Sequence, residues 1–434
     1  MKAADGILST SVKNGVVEER KKLIEKYTMV RNFTHELCKP LVTEDYVVQT
    51  MPDVSPAKWH IAHVTWFFET FVLKESKKDY KEFHPMYNFI FNSYYVQVGP
   101  RHTRAHRGYL TRPTVKNIYD FREYVDKYMV DFINSCDEKT FIKIAAIIEI
   151  GLNHEQQHQE LMLTDIKHVF SVNPLHPVYS EKEFPLIENI PEMSWAEFGE
   201  GLYETGHDGK SFCYDNETPV HKEFLNSFFI ATRLVTNGEY MEFINDGGYE
   251  NTPLWLSDGW ATVEREGWEA PMYWEKKDGE WWNFNLTGFK KVNPNEPVCH
   301  VSFYEADAFA RWKGCRLPNE FEWEIASNNV STEGNFVEKR NFHPVALKNN
   351  TGSKIQQMYG DVWEWTGSAY LPYPGYKTLP GALGEYNGKF MSGQMVLRGG
   401  SCATSLTHIR KTYRNFFYPD SRWQFMGIRL AKDI

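Results

Sequence analysis

Two histidines stand four residues apart in Asn153-His154-Glu155-Gln156-Gln157-His158-Gln159-Glu160, and a second pair three apart in Trp59-His60-Ile61-Ala62-His63-Val64-Thr65-Trp66. On a helix, positions i and i+4 share a face about 6 Å apart along the axis, from a rise of ~1.5 Å per residue. Two imidazoles from one helix and a third from a neighbour are a set that holds a divalent metal. Three neutral ligands leave such an ion its full charge and open positions, so it favours anionic ligands and deprotonates a thiol that binds. A closed fourth ligand would instead make a structural or hydrolytic zinc site. Glu160 is badly aimed for that role: at about 100° per residue it points roughly 200° away from His158, behind the ligands or onto the surface. Asp165 faces the right way but lies about two turns beyond His158, too far to share an ion. The plain alternative is that these histidines are polar residues in a groove or core. Spacing leaves open whether His60 or His63 supplies the third imidazole.

Both stretches sit in segments of helical periodicity. Val16 to Leu37, Ser55 to Leu73, Thr114 to Asn134 and Glu138 to Phe170 predict four helices, with Pro56 placed as a helix N-terminus prefers. Helices of this length make an up-down four-helix bundle. The connection between Leu73 and Thr114 is far longer than a bundle turn and carries Tyr94 and Tyr95 with a run of arginines, poor material for a disordered linker. Pro174, Pro177, Pro185 and Pro191 then break the pattern, which predicts a linker at 171–190. Beyond it come short runs punctuated by Gly, Asn, Asp and Pro, with only Asn237 to Ile244 and Tyr304 to Lys313 helical in pattern. The fold class that follows is α+β in two domains: a helical bundle over 1–170 and an irregular mixed domain over 191–434.

Composition narrows the function classes. A chain of 434 residues is too long for one ordinary domain. A formal charge of −9 argues against a nucleic-acid or anionic-membrane surface. No apolar run is long enough to span a bilayer, and the N-terminus lacks the apolar core of a signal peptide. Six scattered cysteines without C-x-x-C spacing read as reduced thiols of a cytoplasmic protein.

The motifs taken together resemble a known family. W-x-x-x-H at Trp59–His63, H-x-x-x-H-x-E at His154–Glu160 and Y-Y-x-x-x-G-P-R-H at Tyr94–His102 resemble the DinB-type bundle of the ergothioneine-type sulfoxide synthases, the EgtB family. The second half is similar to the C-type-lectin-like domain shared with formylglycine-generating enzymes. That likeness rests on Asp215–His221, Val235–Tyr240, Arg316-Leu317-Pro318-Asn319-Glu320-Phe321-Glu322-Trp323-Glu324, Asp361–Trp365, Leu397-Arg398-Gly399-Gly400-Ser401 and Gly427–Leu430.

The resemblance implies a non-haem iron(II), dioxygen-dependent oxidoreductase. It would join the sulfur of cysteine to the imidazole C2 of Nα-trimethylhistidine (hercynine), with oxidation to the sulfoxide. Carried over by position, it selects His63 with His154 and His158 as iron ligands, and Gln157, Asn415 and Phe416 as contacts to hercynine. Tyr94 and Tyr95 match a tyrosine that donates a proton or hydrogen bond near the iron and steers the outcome toward C–S bond formation. Arg101 and Arg104 fit a pocket for the thiol substrate's carboxylate, which Arg holds bidentately. The positions that are charged in relatives using γ-glutamylcysteine are Phe417 and Ser421 here, which favours free cysteine. Three enzymatic alternatives keep the scaffold: γ-glutamylcysteine as thiol, histidine as in ovothiol synthesis, or a selenium donor. A zinc-dependent DinB-type thiol transferase and a non-catalytic lectin-like binding protein are the readings from other classes. A formylglycine-generating oxidase is disfavoured because Cys402 has no second cysteine after it.

Overall fold

The computed structural model describes residues 2–184, 187, 189–348 and 354–434, with side chains from Gly15 onward. Pro185, counted above as a helix breaker, and the side chains of the N-terminal stretch read against a signal peptide lie outside those residues. The chain divides into two compact units, Met1–Val169 and Phe170–Ile434.

The first unit is helical. Its elements are α1 (Lys2–Cys38), α2 (Ala57–Phe68), α3 (Lys74–Ser76), α4 (Tyr87–Phe91), α5 (Val115–Ser135) and α6 (Glu138–Ser171), with a widened π turn, Glu69–Leu73, joining α2 to α3. Thr114 caps α5 by accepting from the Asn117 amide at 3.1 Å, the local signal that starts this helix. Every residue of α2 is buried, so its rotation is set by packing against neighbours on all sides. Gly151 on α6 is where these neighbours come closest: a Cβ there would lie 2.6 Å from the Phe68 ring and 2.8 Å from the Phe67 ring. Rigid rings cannot yield to it, so glycine at that site keeps α6 close to α2 one turn before His154.

The polar core of this unit is Glu155. It accepts from Arg31 on α1 at 2.8 Å, from Arg122 on α5 at 2.6 Å and from the Thr34 hydroxyl at 2.5 Å, all buried. Burial alone would raise its pKa; Arg122 and Arg31 outweigh that and hold it at about 2. Three helices are thereby tied at the residue next to His154.

The second unit contains β1 (Trp195–Phe198), β2 (Gly201–Thr205), β3 (His221–Leu225), β4 (Phe228–Ala231), α7 (Asn237–Asn245), α8 (Ser257–Glu266), β5 (Trp274–Lys277), β6 (Glu280–Asn285), β7 (Gly288–Lys291), α9 (Phe303–Trp312), α10 (Glu320–Ser327), β8 (Trp363–Ala369), β9 (Met395–Arg398), β10 (Asn415–Phe417), β11 (Met426–Gly427) and β12 (Ala431–Asp433). They form sheets ordered β1-β4-β12, β10-β9-β8-β11, β2-β3 and β5-β6-β7, antiparallel except for β11 beside β8. Two helices, α8 and α10, occur where the apolar pattern predicts none. The start of α10 is nevertheless written locally: Asn319 accepts from the amides of Phe321 and Glu322, and the Glu322 carboxylate accepts from the Asn319 amide, a reciprocal cap.

The recurring motifs of this half are its buried ionic joints. Glu320 of α10 takes Arg414 at 2.8 and 2.9 Å and Arg398 at 2.9 Å; Glu364 of β8 takes Arg429 at 2.7 and 2.8 Å and the Trp323 indole at 2.7 Å. Gly399 runs at φ 97°, and a Cβ there would meet the Met358 carbonyl at 2.6 Å. This explains the Gly-Gly of the Arg398 motif. The predicted linker is laid along this unit: the amides of Tyr179 and Ser180 both donate to the Leu286 carbonyl, at 3.0 and 2.9 Å. Cys402 is a buried core residue, and none of the six cysteines is in a disulfide. Among the described residues no helix is long and apolar enough to cross a membrane.

Candidate metal centre

His63 of α2 and His154 and His158 of α6 come together, one nitrogen of each within 4.8 Å of the others. Ring centroids are 4.9 Å apart for His63–His154, 4.7 Å for His63–His158 and 4.6 Å for His154–His158. The His63 ring lies between two indoles, stacked on Trp59 at 4.5 Å and 13° and on Trp66 at 5.5 Å and 15°. Those indoles sit at i−4 and i+3 of one helix, so the heptad face that holds the ring is local to α2. Each indole is fixed in turn by the long connection, Trp59 donating to the Ile90 carbonyl at 3.2 Å and Trp66 to the Asn88 side chain at 2.9 Å.

His63 Nδ1 lies 2.5 Å from the Phe91 carbonyl, which can only accept, so this nitrogen carries the proton. Its Nε2 is left with a lone pair, buried and without a hydrogen-bond partner among the described residues. A buried imidazole nitrogen in that state fits a metal. The electrostatics agree with that. Burial pushes His63 well below the ordinary histidine value, helped by His154; it takes His154 down to about 3; and it lowers His158, helped by His154 and His63. All three are therefore neutral at neutral pH, as ligands must be.

His60, the other member of the first pair, is not in this group. It is buried behind His158, its Nδ1 2.9 Å from His158 Nδ1. Glu160 also lies outside the group and is buried, which excludes the surface of the two places its angle allowed.

The connection between α2 and α5 is packed against the site, with Lys58 of α2 holding its far end through the Leu110 carbonyl at 2.5 Å. Tyr95 is buried, with its ring 5.7 Å from Trp66 and 5.1 Å from Phe71, while Tyr94 beside it is half-buried. Arg101 and Arg104 are both exposed, and Arg104 donates to the Asp53 carbonyl with its carboxylate 3.9 Å away. The arginine that approaches the histidines is Arg107. Its guanidinium carbon sits 3.3 Å from the centroid of Trp59, and it donates to Ser55 at 2.9 Å and Ser93 at 3.1 Å. Among the described residues no carboxylate forms an ion pair with this buried cation at contact distance, and Asp165 acts on it from farther away. Nothing in its spacing marks it off from Arg101 and Arg104, since burial in a loop leaves no periodicity to read.

Gln157 is half-buried between Gln156 and His158 on α6. In the second unit Asn415 and Phe416 pair with Leu397 and Val396 on β9. The Phe416 ring stacks on Tyr370 at 4.0 Å and 14°, and both Asn415 and Phe416 are half-buried. Phe417 is half-buried and Ser421 buried.

Comparison with known proteins places these features. The DinB superfamily model matches residues 26–162, and the sulfatase-modifying factor enzyme 1-like domain matches 182–354 and 337–434. The hercynine oxygenase of Mycolicibacterium smegmatis is 30% identical over 89% of this chain and 93% of its own length. That of Mycobacterium tuberculosis is 30% identical over 88% and 92%. Ergothioneine biosynthesis protein 1 of Schizosaccharomyces pombe is 30% identical over 51% of this chain and 28% of its own. With a DinB-type bundle carrying a three-histidine cluster, a sulfatase-modifying-factor-type second unit and this identity over most of both chains, the protein belongs to the EgtB-type family of hercynine oxygenases.

Proposed function

We propose that this protein is an iron(II)- and dioxygen-dependent sulfoxide synthase that joins the sulfur of cysteine to the imidazole C2 of hercynine. In that reaction the thiol S–H and the ring C2–H are lost, one oxygen atom of dioxygen ends on sulfur and the other leaves as water. The observation that carries the reading is the cluster of His63, His154 and His158 inside the bundle of a chain related along most of its length to hercynine oxygenases. His63, His154 and His158 would hold the iron, which when bound supplies the redox chemistry with dioxygen.

The chain's own residues account for the rest. Burial of the three imidazoles keeps them neutral, so they would leave a bound divalent ion its full positive charge, which would draw a thiolate. Arg107 adds a second buried positive charge beside Trp59. Arg101 and Arg104 would meet the cysteine carboxylate, and Gln157, Asn415 and Phe416 the trimethylated histidine. Tyr94 and Tyr95 would donate a proton or hydrogen bond, with Tyr95 held in place by Trp66 and Phe71. The uncharged Phe417 and Ser421 favour cysteine over γ-glutamylcysteine. A cytoplasmic location accords with six cysteines outside any disulfide.

The test is purified protein with Fe(II), hercynine and cysteine, followed by oxygen uptake and product mass. Equimolar oxygen uptake and a hercynine–cysteine sulfoxide are expected. No uptake, or equal turnover with zinc in the absence of air, would sink the proposal. Phe at both Tyr94 and Tyr95 is expected to raise cysteine sulfinate at the expense of sulfoxide; an unchanged ratio removes both from the mechanism.

A further inference from the structure

Asp165 lies about two turns along α6 from His158, beyond the reach of any ion that His158 holds. It nevertheless connects to His158 through a side chain of the other helix. Asp165 Oδ2 is 3.0 Å from His60 Nε2, and His60 Nδ1 is 2.9 Å from His158 Nδ1. The same carboxylate oxygen accepts from the Ser55 amide at 2.8 Å, just ahead of α2. The His60 and Asp165 side chains are only 4% and 5% exposed.

With His60 neutral, the donors and acceptors along this line have one consistent assignment. A carboxylate only accepts, so His60 Nε2 carries a proton and donates to Asp165. A neutral imidazole then has its lone pair on Nδ1, which accepts from His158 Nδ1–H. His158 is left with its lone pair on Nε2.

We propose that His60 and Asp165 are positioning residues for the metal centre: through their hydrogen bonds they fix His158 in the tautomer and ring orientation that present Nε2 to the ion. This rests on the metal reading of the three-histidine cluster and not on the identity of the substrates. The geometry is that of an imidazole ligand backed by a hydrogen-bonded group, with a second imidazole inserted before the carboxylate. It also differs from the arrangement at His63, whose Nδ1 is fixed by a backbone carbonyl that no side-chain substitution removes. The Nδ1 atoms of His63 and His158 are therefore fixed by different means, the first by a backbone carbonyl and the second by side chains that mutation can reach.

The experiment uses the full-length protein and Co(II) as probe ion, with affinity and visible absorption bands measured for wild type, Asp165→Asn, His60→Leu and His60→Asn. Unfolding midpoints of the metal-free proteins are measured in parallel. His60→Leu and Asp165→Asn are expected to bind Co(II) about 10–100-fold more weakly, with displaced absorption bands. His60→Asn places an amide oxygen where Nδ1 accepted and is expected to bind close to wild type. Wild-type affinity and bands in both His60→Leu and Asp165→Asn would overturn the proposal, as would His60→Asn binding no better than His60→Leu. If His60→Leu fails to fold, Asp165→Asn decides alone: weakened binding with an intact metal-free midpoint supports the relay, unchanged binding overturns it. Wild type that binds no Co(II) or Fe(II) overturns the metal reading and the relay together, whereas wild-type binding with unaffected variants removes the relay only.

Discussion

His154→Ala is expected to lower sulfoxide formation by at least about 10³-fold, equivalent to roughly 4 kcal/mol of barrier. Metal content of the purified protein should fall with it. The argument starts from what the substitution removes. His154 is one of only two cluster members that α6 contributes, and burial keeps it neutral down to about pH 3. Alanine leaves two imidazoles, too few to hold a labile divalent ion against water. Stability separates this from simple misfolding. Iron(II) at about a hundredfold excess over its dissociation constant should stabilise wild type by ~2.7 kcal/mol through mass action and His154→Ala by almost nothing. The metal-free variant should unfold near the metal-free wild type, because the fold of this unit hangs on apolar packing and Glu155. Equal metal-induced stabilisation of the two proteins would count against His154 as a ligand. The measurements are thermal melts with and without the ion, metal analysis and product mass.

Glu155→Gln carries the largest expected effect on stability, a loss of about 3–5 kcal/mol. The substitution keeps the volume but removes the one charge that faces both Arg31 and Arg122, whose side chains are only 3% and 6% exposed. Arg122 then loses its carboxylate partner, Arg31 is left with Asp126 alone at 2.8 Å, and the amide presents donors where the carboxylate accepted. The pH dependence has a definite sign. The folded carboxyl is held at about 2, below its ordinary value near 4.5. Its contribution is therefore complete above pH 4.5 or so and is lost as the pH falls toward 2. Urea unfolding of the metal-free protein between pH 7 and pH 3 should show a steep acid limb in wild type and a shallower one in Glu155→Gln. A loss under about 1 kcal/mol at pH 7 would mean that the helices do not depend on this joint. Since Glu155 adjoins His154, the variant should also bind metal more weakly even where it stays folded.

The four long helices and the change of texture after residue 170 were legible without coordinates. A 3.6-residue apolar period and proline breaks are local properties, and local properties survive in one dimension. The histidine pairs were legible for the same reason, since spacing on a helix decides which side chains share a face. Two short helices of the second unit, α8 and α10, were not. Along α10, Glu320-Phe321-Glu322-Trp323-Glu324 alternates like a strand, and its helical state is carried by the Asn319–Glu322 cap. That capping pattern was available in the sequence and outweighs the alternation. Glu320 of the same motif and Glu364 of β8 could not be interpreted locally, because Arg414 and Arg398 lie 94 and 78 residues from Glu320 and Arg429 lies 65 from Glu364.

By itself, then, the order of residues determined that two helices bring imidazoles into one bundle, and that Glu160 could not join them. It did not determine which of His60 and His63 joins His154 and His158, because both lie on a helix buried on every side. That choice belongs to rotation about the α2 axis, which is set by Trp59 and Trp66 against the long connection and by the close approach of α6 at Gly151. The same rotation turns His60 into the bridge between His158 and Asp165. Contacts of that kind join residues about a hundred positions apart, and only packing in three dimensions brings them within hydrogen-bond reach.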